Sequence, residues 1–169
     1  MSGEGVRMHA KNATLYEHDL YAWTQAQAAC LRDGAWDALD LAHLIEELED
    51  VGHSQRDALA SHLLVLLTHL LKLAVAAHLR PVDLARAGRG WRTTCRTQRR
   101  LLAKRLRRNP SLWPTVPEEC LEAYIIARDE AATALEVDET AFPPTCPWTP
   151  AQILDEAFWP EEGGAPAPR

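Results

Sequence analysis

The most apolar stretch of the chain covers residues 59–79 (LASHLLVLLTHLLKLAVAAHL). Leucine and alanine recur there at helical spacing on several faces, and no strand-like alternation of apolar and polar residues is present. A helix that is apolar on nearly every side is typical of one enclosed by other helices. The pattern therefore predicts a central helix buried within an all-α bundle.

An amphipathic segment near the start of the chain predicts a first helix over residues 15–33. It opens with a capping box, Thr14-x-x-Glu17, and Gly34 follows as a typical C-terminal stop. The residues expected to face inward are Tyr16, Leu20, Trp23, Gln27, Cys30 and Leu31.

The next segment predicts a second helix over residues 41–51. The residues expected to face inward are Leu41, Leu44, Ile45 and Leu48. Gly52 favours a break here, because glycine costs ~1 kcal/mol relative to alanine inside a helix, and Ser54 can cap a restart. The alternative is one helix running through Gly52. It would align a polar line of Glu47, Asp50, Ser54, Asp57, Ser61, Thr68 and Lys72.

The second half of the chain predicts a loop over residues 80–90, because Pro81, Gly88 and Gly90 are turn residues. An arginine-rich helix follows over residues 91–108. Its expected buried stripe is Trp91, Cys95, Gln98, Leu102 and Leu106.

The last long helix is predicted to open with the capping box Thr115-x-x-Glu118 and to end near Glu136. The residues expected to face inward are Leu121, Tyr124, Ala127, Ala131 and Leu135, and those expected to face outward are Glu118, Glu119, Glu122, Asp129 and Glu130. A third capping box, Thr149-x-x-Gln152, predicts a short final helix, and Phe158 and Trp159 are expected to pack against the body.

These elements predict an all-α single-domain bundle of about four to five main helices over residues 14–160, with a flexible leader (1–13) and a disordered tail (161–169). A net charge of −6 argues against a generally basic nucleic-acid binder. The first eleven residues hold no apolar segment of the kind found in secretory signals, and the four cysteines form no CxxC pair. A cytoplasmic location is therefore expected, with reduced thiols and no membrane association.

Several short motifs together resemble one bacterial family, the domain of unknown function 29. They are residues 21–25 (YAWTQ), 44–49 (LIEELE) with Gly52, 69–72 (HLLK), Trp91 with 98–100 (QRR), 110–112 (PSL), Phe142 with Pro143, Cys146 with Pro147, Gln152, and Leu154 with Asp155. The family usually has Trp where Leu73 stands and Ser where Gly90 stands. The resemblance implies an all-helical fold found mainly in cyanobacteria and proteobacteria, and it implies no established activity.

One candidate site joins carboxylates of the second helix with histidines of the central helix. Glu47 and His69, with Lys72 as a charge partner, are the candidate catalytic residues, and Glu47, Asp50 and His69 are the candidate metal ligands of a hydrolase. The spacing matches no known metal signature, so an acidic solvent-facing surface beside a hydrogen-bonded core histidine is the favoured interpretation. No cofactor is predicted.

A second candidate is the arginine-rich helix, whose Arg92, Arg96, Arg99 and Arg100 could contact nucleic-acid phosphates. The favoured alternative is that these arginines pair with the acidic helices of the same chain. Arg99 could also be buried in a salt bridge to Glu46 or Glu47.

The third candidate is protein interaction, because Trp36, Trp113, Trp148 and Trp159 lie at element ends and tryptophan is enriched at binding hot spots. Packing at the rim of the core is the alternative for these residues. With no catalytic signature present, the sequence favours a non-catalytic interaction or adaptor protein, with an unknown protein partner or a homodimer. Nucleic-acid binding is the first alternative and a metal-dependent hydrolase the second.

Overall fold

The computed structural model describes residues 14–76 and 81–160, and that part of the chain is helical with no strand. The α-helices are α1 (Leu20–Asp33), α2 (Leu41–Ala76), α3 (Pro81–Arg108), α4 (Val116–Leu135) and α5 (Pro150–Leu154). Short 3-10 turns occupy Trp36–Ala38, Pro110–Thr115 and Glu139–Ala141. The predicted all-α fold is confirmed. The leader and the tail lie outside the described residues.

The chain divides into two compact units, with the boundary between Ser54 and Gln55. The first unit contains α1 and the start of α2, and the second contains the rest of α2 and everything after it. Each unit is described by itself below. The assignment of residues 14–160 to one domain stays a prediction.

Helix α1 begins later than its sequence pattern predicted. Residues 14–18 form a helical turn that ends at Asp19, whose φ of −152° is not helical and whose side chain accepts a 2.9 Å hydrogen bond from the Ala22 N–H. Asp19, not Thr14, therefore caps α1. At the other end Gly34 adopts the left-handed conformation, with φ of 67°, and the predicted glycine stop is confirmed.

The core of the first unit is partly polar. The buried Trp23 indole donates to the Asp40 carboxylate (3.3 Å), and the Asp40 backbone N–H donates to the Gln27 side chain (2.8 Å). His43 bonds the same carboxylate at 2.7 Å. Burial acts to raise the pKa of Asp40, but the hydrogen bonds from His43 and Trp23 outweigh it and hold that pKa below its usual value.

Helix α2 is continuous for 36 residues, so the predicted break at Gly52 is wrong and the single-helix alternative is correct. A Cβ at Gly52 would meet no atom within 4 Å, which shows that no close approach demands glycine there. The ~1 kcal/mol helix penalty of one glycine is too small to interrupt a helix whose following turns are buried.

Helix α3 begins at Pro81, so the predicted loop over residues 80–90 is wrong from Pro81 onwards. Proline is favoured in the first turn of a helix because its missing N–H needs no partner there. Gly88 is buried within α3, where an added Cβ would stand 3.9 Å from the Leu73 side chain.

The core of the second unit forms around the predicted central segment of α2. Its fully buried leucines are Leu59, Leu63, Leu66, Leu67, Leu70, Leu71 and Leu73. They share one cluster with Cys95 and Leu102 of α3, and with Tyr124 of α4. The buried central helix is confirmed for residues 59–75.

Helix α4 faces its core with a different set of residues than predicted. Glu119, expected outside, is 3% exposed, and Leu121, expected inside, is 60% exposed. Thr115 makes no capping hydrogen bond and instead donates to the Leu112 carbonyl, so the capping box predicted at Thr115 is wrong. The box at Thr149 is confirmed, since it exchanges both hydrogen bonds with Gln152.

By length and composition α2 is the one helix in the described part that could cross a membrane. The core helix of a soluble protein passes the same test, and half of the most apolar window of α2 is buried inside the protein.

Candidate functional site

Glu47, the predicted catalytic carboxylate, lies in the first unit and accepts a 2.8 Å hydrogen bond from the Tyr16 hydroxyl. That bond raises the pKa of Tyr16 to about 12, with smaller contributions from burial and from Glu46. Tyr16 also stacks on His43, with ring centroids 3.9 Å apart. Glu47 therefore serves as a hydrogen-bond acceptor that holds Tyr16 on α2.

His69, the predicted imidazole of the site, lies in the second unit, where its Nδ1 bonds the Val65 carbonyl at 2.8 Å. Burial lowers the pKa of His69, the Val65 bond raises it and the Lys72 charge lowers it further. The other histidine of this segment, His62, bonds Gln98 at 2.8 Å. Each of these half-buried histidines thus uses one ring nitrogen, Nδ1, in a hydrogen bond within the fold.

The described residues contain no group of three His, Cys, Asp or Glu side chains placed to hold a metal ion. Glu47 and Asp50 belong to the first unit, whereas His69 and Lys72 belong to the second. The catalytic and metal roles of these four residues stay predictions.

An exposed apolar surface follows the first turns of α2. It consists of Leu41 (58% exposed), Ile45 (55%), Leu48 (71%) and Val51 (61%), here called the α2 ridge. These residues recur at helical spacing on one side of the helix. The sequence pattern placed this face inside, and that prediction is wrong because the opposite side of the helix, with His43 and Glu47, contacts Tyr16.

Acidic residues surround the α2 ridge. Glu46, Glu49 and Asp50 are exposed, and no ion pair neutralises them within the described residues. Residues 14–54 carry nine aspartates and glutamates against one arginine, Arg32. The first unit therefore presents an apolar strip in a negative field.

The arginine-rich helix divides into a buried side and an exposed side. On the buried side Arg99 is 1% exposed, and its Nε donates to the Ile153 carbonyl at 2.9 Å. Three guanidinium groups lie near the Trp159 ring, at 4.5 Å for Arg92, 5.4 Å for Arg96 and 5.1 Å for Arg99. The burial of Arg99 agrees with one sequence-based alternative, but its hydrogen bond runs to Ile153 and not to Glu46 or Glu47.

The exposed side of α3 is cationic, and it is called the basic face below. Its members are Arg89, Arg96, Arg100, Lys104, Arg107 and Arg108. Within the described chain none of them forms an ion pair with a carboxylate. Because the acidic helix α1 and the start of α2 belong to the other unit, the predicted pairing of these arginines with the acidic helices stays a prediction.

Of the four tryptophans singled out from the sequence, two are buried and two are exposed to solvent. Trp148 and Trp159 are each 8% exposed, whereas Trp36 is 66% and Trp113 is 53% exposed. Packing at the rim of the core therefore accounts for Trp148 and Trp159.

Comparison with known families identifies the chain by its overall pattern. The family model described as Domain of unknown function DUF29 matches residues 15–159. The chain belongs to this family. No curated protein matches it, and no solved structure matches it. The match to DUF29 covers both the α2 ridge and the arginines of α3, so both surfaces lie within the family region.

Two neighbours of Arg99 in this DUF29 chain were missed by reasoning from sequence. The Ile153 carbonyl that accepts from Arg99 is 54 positions away, and it is a backbone group with no side-chain signature. Trp159 was expected to pack against the body, but nothing in its sequence context indicated that three arginines would surround it.

Proposed function

We propose that this DUF29 chain is a non-catalytic protein-binding module, and that its first unit holds a basic amphipathic helix of a partner protein against the α2 ridge. The observation that carries the proposal is the row of four large aliphatic side chains, each more than half exposed, on one side of a helix. Contiguous apolar surface of this kind marks interaction sites in folded proteins.

The hydrophobic residues of the ridge supply the attraction, since covering a Leu or Ile side chain contributes ~1.5–3 kcal/mol relative to leaving it in water. The ridge residues recur at helical spacing, and an amphipathic helix docks its own apolar face against such a strip. Ridge and partner helix can therefore interdigitate side by side.

The charges around the ridge select the partner. The unpaired carboxylates of Glu46, Glu49 and Asp50 lie on the same helix, and a partner with lysine or arginine beside its apolar face would neutralise them. An acidic helix would be repelled by the same groups. The proposal therefore assigns a positively charged amphipathic helix as the occupant.

The first test uses a synthetic helical peptide, about five turns long, with leucine on one face and lysine on the other. We expect it to bind the full chain, to bind more weakly as salt is raised, and to lose at least about tenfold in affinity with Ile45→Gln plus Leu48→Gln. Fluorescence anisotropy of the labelled peptide measures these affinities.

The matched control is Leu121→Gln plus Ile125→Gln, which removes two equally exposed aliphatic residues from α4. This variant should bind the peptide like the wild type. Equal binding of a peptide with glutamate in place of lysine would contradict the charge assignment. Unchanged binding by the ridge variant would contradict the site.

The natural occupant can be captured by placing a photo-crosslinking amino acid at Leu48 in the native host, with Ile125 as the control position. The proposal expects an adduct specific to position 48 whose crosslinked peptide is a basic amphipathic helix. Crosslinking to the same position of a second copy would instead identify a homodimer interface and reject the basic partner.

Nucleic-acid binding is a second candidate function, favoured by the unpaired basic face of α3. From Arg96 to Arg108 the exposed cations extend over ~18 Å of helix, at the 1.5 Å rise of each residue. Cations that form no ion pair with a described carboxylate are available for phosphates, whose binding would weaken steeply with salt. No metal-ligand group supports the hydrolase alternative within the described residues, and it is not proposed.

Binding of mixed RNA and DNA oligomers at two salt concentrations tests this candidate. Arg96→Glu plus Arg100→Glu should reduce both the affinity and the salt dependence. Arg32→Glu, in the first unit, is the control for a change of charge elsewhere. Affinity unchanged by the α3 substitutions would exclude the basic face as the binding surface.

A further inference from the structure

The guanidinium of Arg99 is a buried charge with unused hydrogen-bond donors. Its side chain is 1% exposed, and its Nε donates to the Ile153 carbonyl at 2.9 Å. Both terminal nitrogens, Nη1 and Nη2, are inaccessible to solvent and have no hydrogen-bond partner in the described part of the chain. Because the Nε bond fixes the plane of the group, the two free nitrogens are held in one direction.

Two other arginines contact the same tryptophan ring as Arg99. Arg92, Arg96 and Arg99 follow one another at i, i+4 and i+7 on α3, and all three guanidinium groups lie within 5.4 Å of the centre of the Trp159 ring. The ring face attracts cations, but it carries no formal negative charge that could serve as a counterion for Arg96 or Arg99.

Within the described residues, no carboxylate forms an ion pair with Arg96 or Arg99. Asp155 and Glu156 attract Arg99 from a distance, yet neither forms an ion pair with it. The Asp155 carboxylate instead accepts a 2.9 Å hydrogen bond from the Ala157 N–H. Among the described residues, Arg99 therefore has a cation–π contact and one backbone bond, and no counterion.

We propose that this cluster is a binding site for a phosphate group, held by the free nitrogens of Arg99 and by the guanidinium of Arg96 at the edge of Trp159. A buried unpaired charge is strongly unfavourable, so a fold that retains one is explained by a ligand that supplies the opposite charge. The site lies in the second unit and does not depend on the α2 ridge.

Phosphate fits the site better than a carboxylate. Arginine forks form paired hydrogen bonds with either group, but phosphate offers more acceptor oxygens and can carry two negative charges to several guanidinium groups at once. Trp159 is only 8% exposed and already contacts three arginines, so it leaves no free face for a nucleobase to stack on. The phosphate itself, and not an attached base, is therefore the group recognised.

The first experiment measures thermal unfolding and titration calorimetry of the full chain with inorganic phosphate, against chloride at equal ionic strength. Phosphate should raise the melting temperature in a saturable way, as expected for a ligand that binds only the folded state. A nucleoside monophosphate is the second probe, and it should bind with an affinity similar to that of inorganic phosphate. Much tighter binding of the nucleotide would contradict recognition of the phosphate alone.

Arg96→Gln supplies a variant that does not disturb the core, because Arg96 is exposed. It should weaken phosphate binding by about tenfold through loss of a charge-assisted hydrogen bond. Arg32→Gln is the control, since Arg32 is also exposed but lies in the first unit and belongs neither to this cluster nor to the basic face. It should leave the affinity unchanged. A wild type that does not respond to phosphate, or an Arg96→Gln variant that responds equally, overturns the proposal.

Arg99→Met distinguishes a ligand-binding residue from a structural one. Replacing a buried unpaired charge with an apolar side chain of similar length should leave the melting temperature of the free protein unchanged or higher, and the response to phosphate should disappear. A lower melting temperature with an intact phosphate response would show that Arg99 serves only the fold. If this variant does not fold, the comparison of Arg96→Gln with Arg32→Gln decides the question.

Discussion

Arg56 of α2 and Glu119 of α4 form a salt bridge in which the carboxylate is almost fully buried and the arginine is not. The Arg56 Nε–H donates to Glu119 Oε1; the side chains are 46% and 4% exposed, respectively. A second arginine nitrogen lies 3.1 Å from the exposed Glu118. This contact explains why Glu119, which the helical pattern of α4 placed outside, faces the core.

The unequal burial predicts unequal effects of removing each partner. Arg56→Met leaves a buried carboxylate without a counterion and should lower the melting temperature by several degrees. Glu119→Leu leaves Arg56 in contact with water and with Glu118, so its effect should be smaller. Chemical denaturation of both variants and of the double variant measures the coupling between them.

The double variant should be more stable than Arg56→Met alone, because it no longer contains the Glu119 carboxylate that Arg56→Met leaves buried without a counterion. Arg107→Met, at an exposed arginine with no ion pair in the described chain, is the control and should change little. If Arg56→Met were no more destabilising than this control, the salt bridge would have no role in stability.

The continuity of α2 through Gly52 predicts that Gly52→Ala stabilises the protein. Alanine is favoured over glycine inside a helix by ~1 kcal/mol, and the added Cβ would meet no atom within 4 Å. The melting temperature should rise by roughly 2–4 °C for a chain of this size.

Gly34→Ala is the opposite case, because Gly34 holds a φ of 67° at the end of α1. Alanine in that conformation costs ~1–2 kcal/mol, so this variant should be less stable than the wild type. If Gly52→Ala also lowered the stability, the result would contradict a regular helical conformation at Gly52.

The sequence was most informative where one local signal decides a feature. Gly34 ends α1 because few other residues adopt its conformation, and Thr149 with Gln152 satisfies donors within one turn of α5. The leucine run over residues 59–73 is buried because its apolar content leaves no polar face broad enough to meet water.

Sequence reasoning failed where tertiary packing overrides a local signal. Gly52 and Gly88 were interpreted as breaks, yet each lies inside a long helix, and Gly88 lies beside Leu73. Glu119 is buried because Arg56, 63 positions away, neutralises it. Such a partner cannot be identified from helical periodicity alone.

The candidate surfaces show the same limits. Periodicity correctly identified an apolar face at Leu41, Ile45 and Leu48, but it carries no information on whether that face meets its own core or another protein. The arginines of α3 were recognised as a group. Their division into a buried member, Arg99, and an exposed basic face depends on where the segment with Ile153 and Trp159 packs.

The cysteines should differ widely in reactivity. Burial raises the pKa of Cys95 to about 11 and, with weaker effects of Cys146 and Glu119, that of Cys120 to about 12. At pH 8 a thiol with a pKa near 11 is ionised to only about one part in a thousand, so it is a poor nucleophile. Cys30 is partly exposed and should be alkylated first.

Mass spectrometry after a short treatment with iodoacetamide measures this order, and the same treatment in urea should modify all four cysteines. Alkylation of native Cys95 or Cys120 as fast as Cys30 would contradict their burial.

The protonation of His69 should make folding stability depend on pH. Burial lowers the pKa of His69 in the folded protein, with the Val65 carbonyl opposing the shift and Lys72 adding to it. Unfolding restores the ordinary value of about 6.5, so the unfolded state binds more protons as the pH falls. The stability contribution of neutral His69 is therefore complete above about pH 6.5 and is lost as the pH falls through that value towards the lower folded pKa.

Urea denaturation of wild type and His69→Gln at pH 7.5 and 5.5 isolates this contribution from the other titrating groups. The wild type should lose more stability between the two conditions than His69→Gln does, while His53→Gln, at an exposed histidine, should behave like the wild type. Equal losses in wild type and His69→Gln would mean that the imidazole is already free to bind a proton in the folded state. That result would weaken the assignment of His69 to the core and favour its availability for chemistry.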